Sequence, residues 1–131
     1  MKKNDTYKEN FKFSQSQVVK FCSLIGDLNP IHLDEDFAKK TRFKKTILPG
    51  FLSGSIFSKT LGMKFPGTGT IYLYQSMKFL KPMFTETIYT VYLKILDIDY
   101  EKKIALISTE IYHDKEKFIE GRARITNKKI K

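Results

Sequence analysis

Hydrophobic and polar positions change rhythm partway along this chain, and the change divides it into a helical half and a β half. Tyr7 to Phe13 alternates weakly and predicts a short edge strand. Ser14-Gln15-Ser16-Gln17 then reads as a capping box, in which Ser14 accepts from an early free N–H and Gln17 reaches back. A helix should follow, with Val18, Val19, Phe21, Cys22 and Ile25 on or near its apolar stripe. Gly26 is a natural end for it, and Pro30 pushes Asn29 out of the helical region, so 26–32 is a turn. Asp34 to Lys40 is long enough for one or two helical turns, and Thr41 to Leu48 reads as irregular and lid-like.

Pro49-Gly50 precedes a second helix over 51–61, in which Phe51, Leu52, Ile56 and Phe57 are large and Gly54 and Ser55 are small. Its pattern predicts a buried helix that a backbone can approach closely, closed by Gly62. After the turn Pro66-Gly67-Thr68-Gly69, four runs have a twofold period: Thr70 to Leu80, Thr87 to Asp97, Lys103 to Tyr112 and Lys117 to Thr126. In the last, Ile119, Gly121, Ala123 and Ile125 face one way while Glu120, Arg122 and Arg124 face the other. The expected class is α+β: one buried helix and a meander of long antiparallel strands.

Composition narrows the function. At 131 residues the chain forms one domain with a real core. The net charge of +10 invites a nucleic-acid reading, but no binding motif is recognisable, and only three of the 24 cationic residues are arginines: Arg42, Arg122 and Arg124. A positive rim for a phosphorylated carrier suits that charge better. Cys22 is the single cysteine and His32 and His113 are the two histidines, which excludes an intramolecular disulfide and leaves metal chemistry, like cofactor binding, unsupported. No apolar run approaches the ~20 residues that span a bilayer, and Met1-Lys2-Lys3 leads into polar sequence, so the expectation is a cytoplasmic protein with no membrane or nucleic-acid partner. Residues 127–131 read as a flexible basic tail.

The segment that carries chemistry is Phe21-Cys22-Ser23-Leu24-Ile25-Gly26-Asp27-Leu28-Asn29-Pro30-Ile31-His32. It sets a carboxylate and an imidazole five positions apart on a stiff turn, Asn29 and Pro30 shaping the kink between them. A carboxylate beside an imidazole can grip and activate water, one group accepting its proton while the other orients it. The same two residues also suit structural roles, Asp27 capping a nearby backbone N–H and His32 serving as a satisfied core or turn histidine.

Gly26-Asp27-x-Asn29-Pro30-(aliphatic)-His32 resembles the signature of the MaoC-like, (R)-specific enoyl-CoA hydratase family, and Phe21 and Ala38 fall where that signature expects them. The resemblance continues through Pro49-Gly50-Phe51-Leu52, Phe57-Ser58 and Leu61-Gly62, then Pro66-Gly67-x-Gly69-x-Ile71-Tyr72-x-x-Gln75 and Phe79-x-x-Pro82-x-Phe84, covering about residues 17–86. It implies a hot-dog fold, in which a long antiparallel sheet wraps around a central helix, and a homodimer with its sites at the subunit interface. It also implies that Asp27 and His32 hold the catalytic water, that Gly50 offers a backbone N–H to the thioester oxygen, and that Ser58 lies near the site. The chain departs from the family in one place, Pro49 standing where a histidine is common. The reaction implied is hydration of a trans-2-enoyl-CoA to the (R)-3-hydroxyacyl thioester. A 3-hydroxyacyl-[acyl-carrier-protein] dehydratase is the alternative; a hot-dog thioesterase and a non-catalytic basic module are weaker ones. Tyr72 and Tyr74 read as core, pocket or interface aromatics, and Cys22 as a small apolar helix residue.

Overall fold

A computed structural model describes residues 1–131. Strand β1 (Thr6–Phe11) leads into α1 (Gln15–Ile25), the short α2 (Pro30–Leu33) and α3 (Glu35–Lys39), then α4 (Gly50–Met63). Five strands follow: β2 (Ile71–Gln75), β3 (Lys78–Phe79), β4 (Tyr89–Asp99), β5 (Ile104–His113) and β6 (Glu116–Thr126). All pair antiparallel in one six-stranded sheet of order β1-β4-β5-β6-β2, with β3 also on β6. No helix is long and apolar enough to cross a membrane.

The twofold period becomes a dry and a wet face. Tyr89, Val91, Leu93 and Ile95 of β4, Ala105, Ile107 and Ile111 of β5, and Ile119, Ala123 and Ile125 of β6 are buried, while Arg122 and Arg124 are exposed. Against this face lie Leu52, Ile56, Phe57 and Leu61 of α4 in one continuous core. Each such side chain contributes about 2 kcal/mol on burial, enough to hold α4 in place with Gly62 inside it at a cost of about 1 kcal/mol. The helix therefore runs through Gly62 to Met63 instead of closing there, and ends where the Lys64 and Phe65 N–H groups both donate to the Thr60 carbonyl. The antiparallel sheet wrapped around α4 is the hot-dog arrangement.

Helix α1 forms as its capping box dictates: the Gln17 N–H donates to Ser14 Oγ, the Ser14 N–H donates to Gln17 Oε1, and Gly26 closes the helix at φ 79°. Its buried stripe is narrower than its apolar composition. Val18 and Cys22 reach the core and Phe21 packs against it, but Val19 and Ile25 are about half exposed, because the helix lies on the core by one edge only.

The run 70–80 is two strands, not one, and two glycines explain the break. β2 and β3 both pair with β6, but between them the Ser76 backbone crosses β6 so closely that a Cβ on Gly121 would lie 1.8 Å from the Ser76 carbonyl oxygen. On the other side, Met77 presses onto α4, where a Cβ on Gly54 would lie 2.3 Å from its sulfur. The connection between β2 and β3 is thus clamped between a strand glycine and a helix glycine.

The C-terminal segment is packed down rather than free. Asn127 is buried, and its Nδ2 donates to the Gly67 and Thr68 carbonyls and to Thr70 Oγ1, holding the turn before β2; Ile130 joins the core. The polar composition of 127–131 concealed one apolar anchor and one amide with three acceptors.

The clamp separates the two glycines by substitution. Gly121→Ala drives a methyl into backbone that cannot yield, and a loss of about 3 kcal/mol or more is expected in the denaturant midpoint. Gly54→Ala meets only a flexible thioether and gains about 1 kcal/mol of helix preference, so its net effect should stay within about 1 kcal/mol.

Candidate active site

The turn after α1 is built from side chains that cap backbone. The Asn29 N–H donates to Asp27 Oδ1 at 3.2 Å, and the Ile31 N–H donates to Asn29 Oδ1 at 3.3 Å, making Asn29 the N-cap of α2 with Pro30 in its first position. Two turns of hydrogen bonding in six residues leave little freedom, and they bring the two chemical groups together: Asp27 Oδ2 lies 3.7 Å from His32 Nε2.

The structural roles leave other atoms of the same residues uncommitted. Asp27 spends Oδ1 on the Asn29 N–H and keeps Oδ2 free of backbone. His32 spends Nδ1, which donates to the Ile47 carbonyl at 2.9 Å, and turns Nε2 toward the carboxylate. Because a carbonyl can only accept, Nδ1 carries the proton, and in the neutral ring Nε2 holds the free lone pair. At 3.7 Å the two groups are too far apart for a direct hydrogen bond, and the spacing suits one water held by both. The imidazole is nearly buried, its side chain 11% exposed, whereas the Asp27 side chain is 37% exposed.

His32 lines a cavity of about 350 Å³ with Arg42, Ile47, Leu48, Gly50, Ser53 and Met83 among its walls. Gly50 begins α4. Beside it, Pro49 does more than fill the place of a histidine: its carbonyl accepts the Leu52 and Ser53 N–H groups, capping the helix through backbone alone. The N–H groups of Gly50 and Phe51 have no acceptor in the protein, as the first turn of a helix requires when no side chain reaches back. One wall of the cavity thus carries an unpaired donor at the positive end of a helix.

Of the residues singled out in the sequence, Asp27, Asn29, Pro30, His32 and Gly50 gather here. Ser58 does not: it sits on the exposed side of α4, two turns beyond Gly50, and the cavity wall holds Ser53 instead. Ser53 lies three residues after Gly50, one turn along and buried, whereas Ser58 is two turns along and exposed. Tyr72 and Tyr74 are exposed on β2 rather than core, because β2 is a sheet edge. Cys22 is wholly buried, its thiol pushed up by burial first and by the Asp27 charge second.

Other contributors had no signal in the sequence. Gln15 Nε2 donates to the His32 carbonyl at 2.9 Å while Gln15 Oε1 accepts from Thr46 Oγ1 at 3.2 Å, tying α1, α2 and the loop before α4 together behind the imidazole. The Ile47 N–H donates to the Ile31 carbonyl, and the Leu48 N–H to the Met83 carbonyl. Gln15 reads as an ordinary first-turn residue, and a backbone carbonyl such as that of Ile47 has no sequence code.

The family model for a MaoC-like domain matches residues 2–115. This chain belongs to that family. The MaoC-like chain is 39% identical over 101 residues to an (R)-specific enoyl-CoA hydratase of Aeromonas caviae, covering 77% of this chain and 75% of the relative. It is 36% identical over 112 residues to an (R)-specific enoyl-CoA hydratase of Rhodospirillum rubrum, covering 86% and 78%. Its fold superposes on the structure of an A. caviae (R)-hydratase described as involved in PHA biosynthesis with a TM-score of 0.93, at 32% identity and 97% coverage of both chains.

Since Asn29 caps α2, the MaoC-like chain should lose about 1 kcal/mol on Asn29→Ala, read as a lowered thermal midpoint.

Proposed function

We propose that this chain is an (R)-specific hydratase of trans-2-enoyl thioesters, acting reversibly and carrying its acyl group on coenzyme A. The observation that carries this reading is the pairing of Asp27 Oδ2 with His32 Nε2 at 3.7 Å beside a cavity whose wall includes Gly50. Its relatives' names support the reaction class.

In the proposed step one water bridges the two side chains from the side, off the 3.7 Å line that joins them. Asp27 Oδ2 accepts one O–H and fixes the water's orientation, while His32 Nε2 accepts the other. As the water oxygen bonds to C3, Nε2 takes that proton and the displaced π electrons move through C2 onto the thioester oxygen. The Gly50 N–H, unpaired at the α4 N-terminus, donates to this developing oxyanion; a preorganised donor of that kind contributes about 3 kcal/mol to the barrier. The imidazolium then returns its proton to C2, so that one water has been added and the enzyme is unchanged. Delivery from one face makes the product a single enantiomer. Ile47 supports the step by holding Nδ1 as the donor, which keeps Nε2 as the base.

The active unit in this reading is a homodimer joined along β2. Strand β2 ends the sheet, and Ile71, Leu73 and Tyr74 on it are more than half exposed, an apolar edge that a second copy would cover.

Loss of crotonyl-CoA absorbance on adding enzyme tests the reaction, and an inactive wild type across short and medium acyl chains would refute it. Asp27→Asn and His32→Ala should each lower kcat at least about a hundredfold with the fold intact by circular dichroism. For the assembly, light scattering should give twice the chain mass, and Leu73→Glu with Tyr74→Glu should halve it; a monomeric wild type would sink the dimer.

A further inference from the structure

The cavity that holds His32 also carries a charge that water addition does not use. Arg42 lies on its wall, its guanidinium 4.9 Å from the centre of the Phe43 ring. It forms no ion pair, although the acids of the chain pair with five lysines and two histidines, and its side chain makes no hydrogen bond within the protein. The other cation on the wall, Lys81, is already held by Glu116. Three residues after Arg42, Lys45 extends over the Phe84 ring at 4.9 Å and likewise has no carboxylate.

A cation–π contact with an aromatic ring holds a guanidinium without consuming its N–H donors as hydrogen bonds would, and those donors form a planar fork. A fork of that shape is matched to an oxyanion with two oxygens in one plane, and fixing it on Phe43 removes much of the entropy that binding would otherwise cost. An unpaired fork on the wall of a substrate cavity is therefore positioned for an anion that arrives with the substrate. The acyl group and the thioester carry none. The carrier does: coenzyme A and the prosthetic arm of an acyl carrier protein are both phosphorylated pantetheine.

We propose that Arg42 is a specificity-determining residue whose guanidinium, held on the Phe43 ring, binds a phosphate of the pantetheine carrier arm, with Lys45 adding positive field beside it. This deepens the thioester-hydratase reading and rests on it.

The test compares wild type, Arg42→Gln and Arg42→Lys, with Lys20→Gln on the exposed face of α1 as a control for net charge. Steady-state kinetics on crotonyl-CoA, crotonyl-acyl carrier protein and the phosphate-free crotonyl-pantetheine are measured beside calorimetric titration with free coenzyme A. Arg42→Gln should raise KM for crotonyl-CoA about tenfold, weaken coenzyme A binding by a similar factor, and leave KM for crotonyl-pantetheine unmoved. Arg42→Lys should recover part of the loss, since it keeps the charge without the fork, and Lys20→Gln should match wild type. Loss on both carriers assigns the phosphate they share, and loss on coenzyme A alone assigns its nucleotide phosphates. An equal loss on crotonyl-pantetheine, or no loss on any substrate, overturns the proposal. An active wild type indistinguishable from Arg42→Gln sinks this inference alone, whereas Arg42-dependent coenzyme A binding without any hydration sinks the hydratase reading, and with it the specificity role, and leaves only a phosphate contact at Arg42.

Discussion

One hydrogen bond sets the terms for the rest of the site: His32 Nδ1–H to the Ile47 carbonyl, 2.9 Å long and part-buried. It decides which ring nitrogen bears the proton, and it aims the other at Asp27. It also recruits the irregular segment before α4 into the site, since Ile47 can accept only where the Ile31 carbonyl and the Gln15–Thr46 contact hold its strand of chain. A side chain from one end of the helical half and a carbonyl from the other thus become a single unit. Nearly every polar atom in that unit has a hydrogen-bond partner; Asp27 Oδ2, His32 Nε2 and the Gly50 N–H are left without one, and His32 and Gly50 line the cavity.

The fold serves the same end through close approach. Gly50 and Gly54 are one turn apart on α4, Gly50 facing β3 and Gly54 the chain between β2 and β3. Phe79 stands over Gly50, whose missing Cβ would meet the ring at 3.0 Å, and Met77 stands over Gly54. With Gly121 admitting the Ser76 backbone from the β6 side, the helix N-terminus is seated against the sheet with Gly50 on the cavity wall. A side chain at Gly121 would meet the Ser76 backbone and force the sheet and the segment over it apart, whereas at Gly54 only the Met77 thioether has to move. Packing in this molecule is thus also the means of placing an electrostatic group.

Much of this was legible in advance because it depends on near neighbours. The capping box at Ser14 and Gln17, the left-handed Gly26, the Asn29-Pro30 kink and the alternation in β4 to β6 each act within a few residues, and each formed as its local chemistry required. Where the reading fell short, a distant partner had overruled the local pattern. Gly62 stops helices by preference, yet core contacts on either side of it carried α4 onward. The run 70–80 alternates like one strand, yet β6 and α4 together bent it into two. The 127–131 segment looks solvated by composition, yet Ile130 found the core and Asn127 found the turn at Gly67.

What the amino-acid sequence determined on its own is the list of chemically competent groups and the turn that holds two of them: an aspartate and a histidine five residues apart can converge only if the chain reverses between them, and Asn29-Pro30 makes it do so. What the tertiary structure alone decided is how each group's atoms are shared between support and chemistry. The Ile47 carbonyl that fixes the imidazole, the Pro49 carbonyl that caps α4 while sparing Gly50, and the choice of Ser53 over Ser58 as the wall of the cavity all depend on where separate segments meet. Backbone groups are identical at every residue, so their roles are assigned only when the chain is folded.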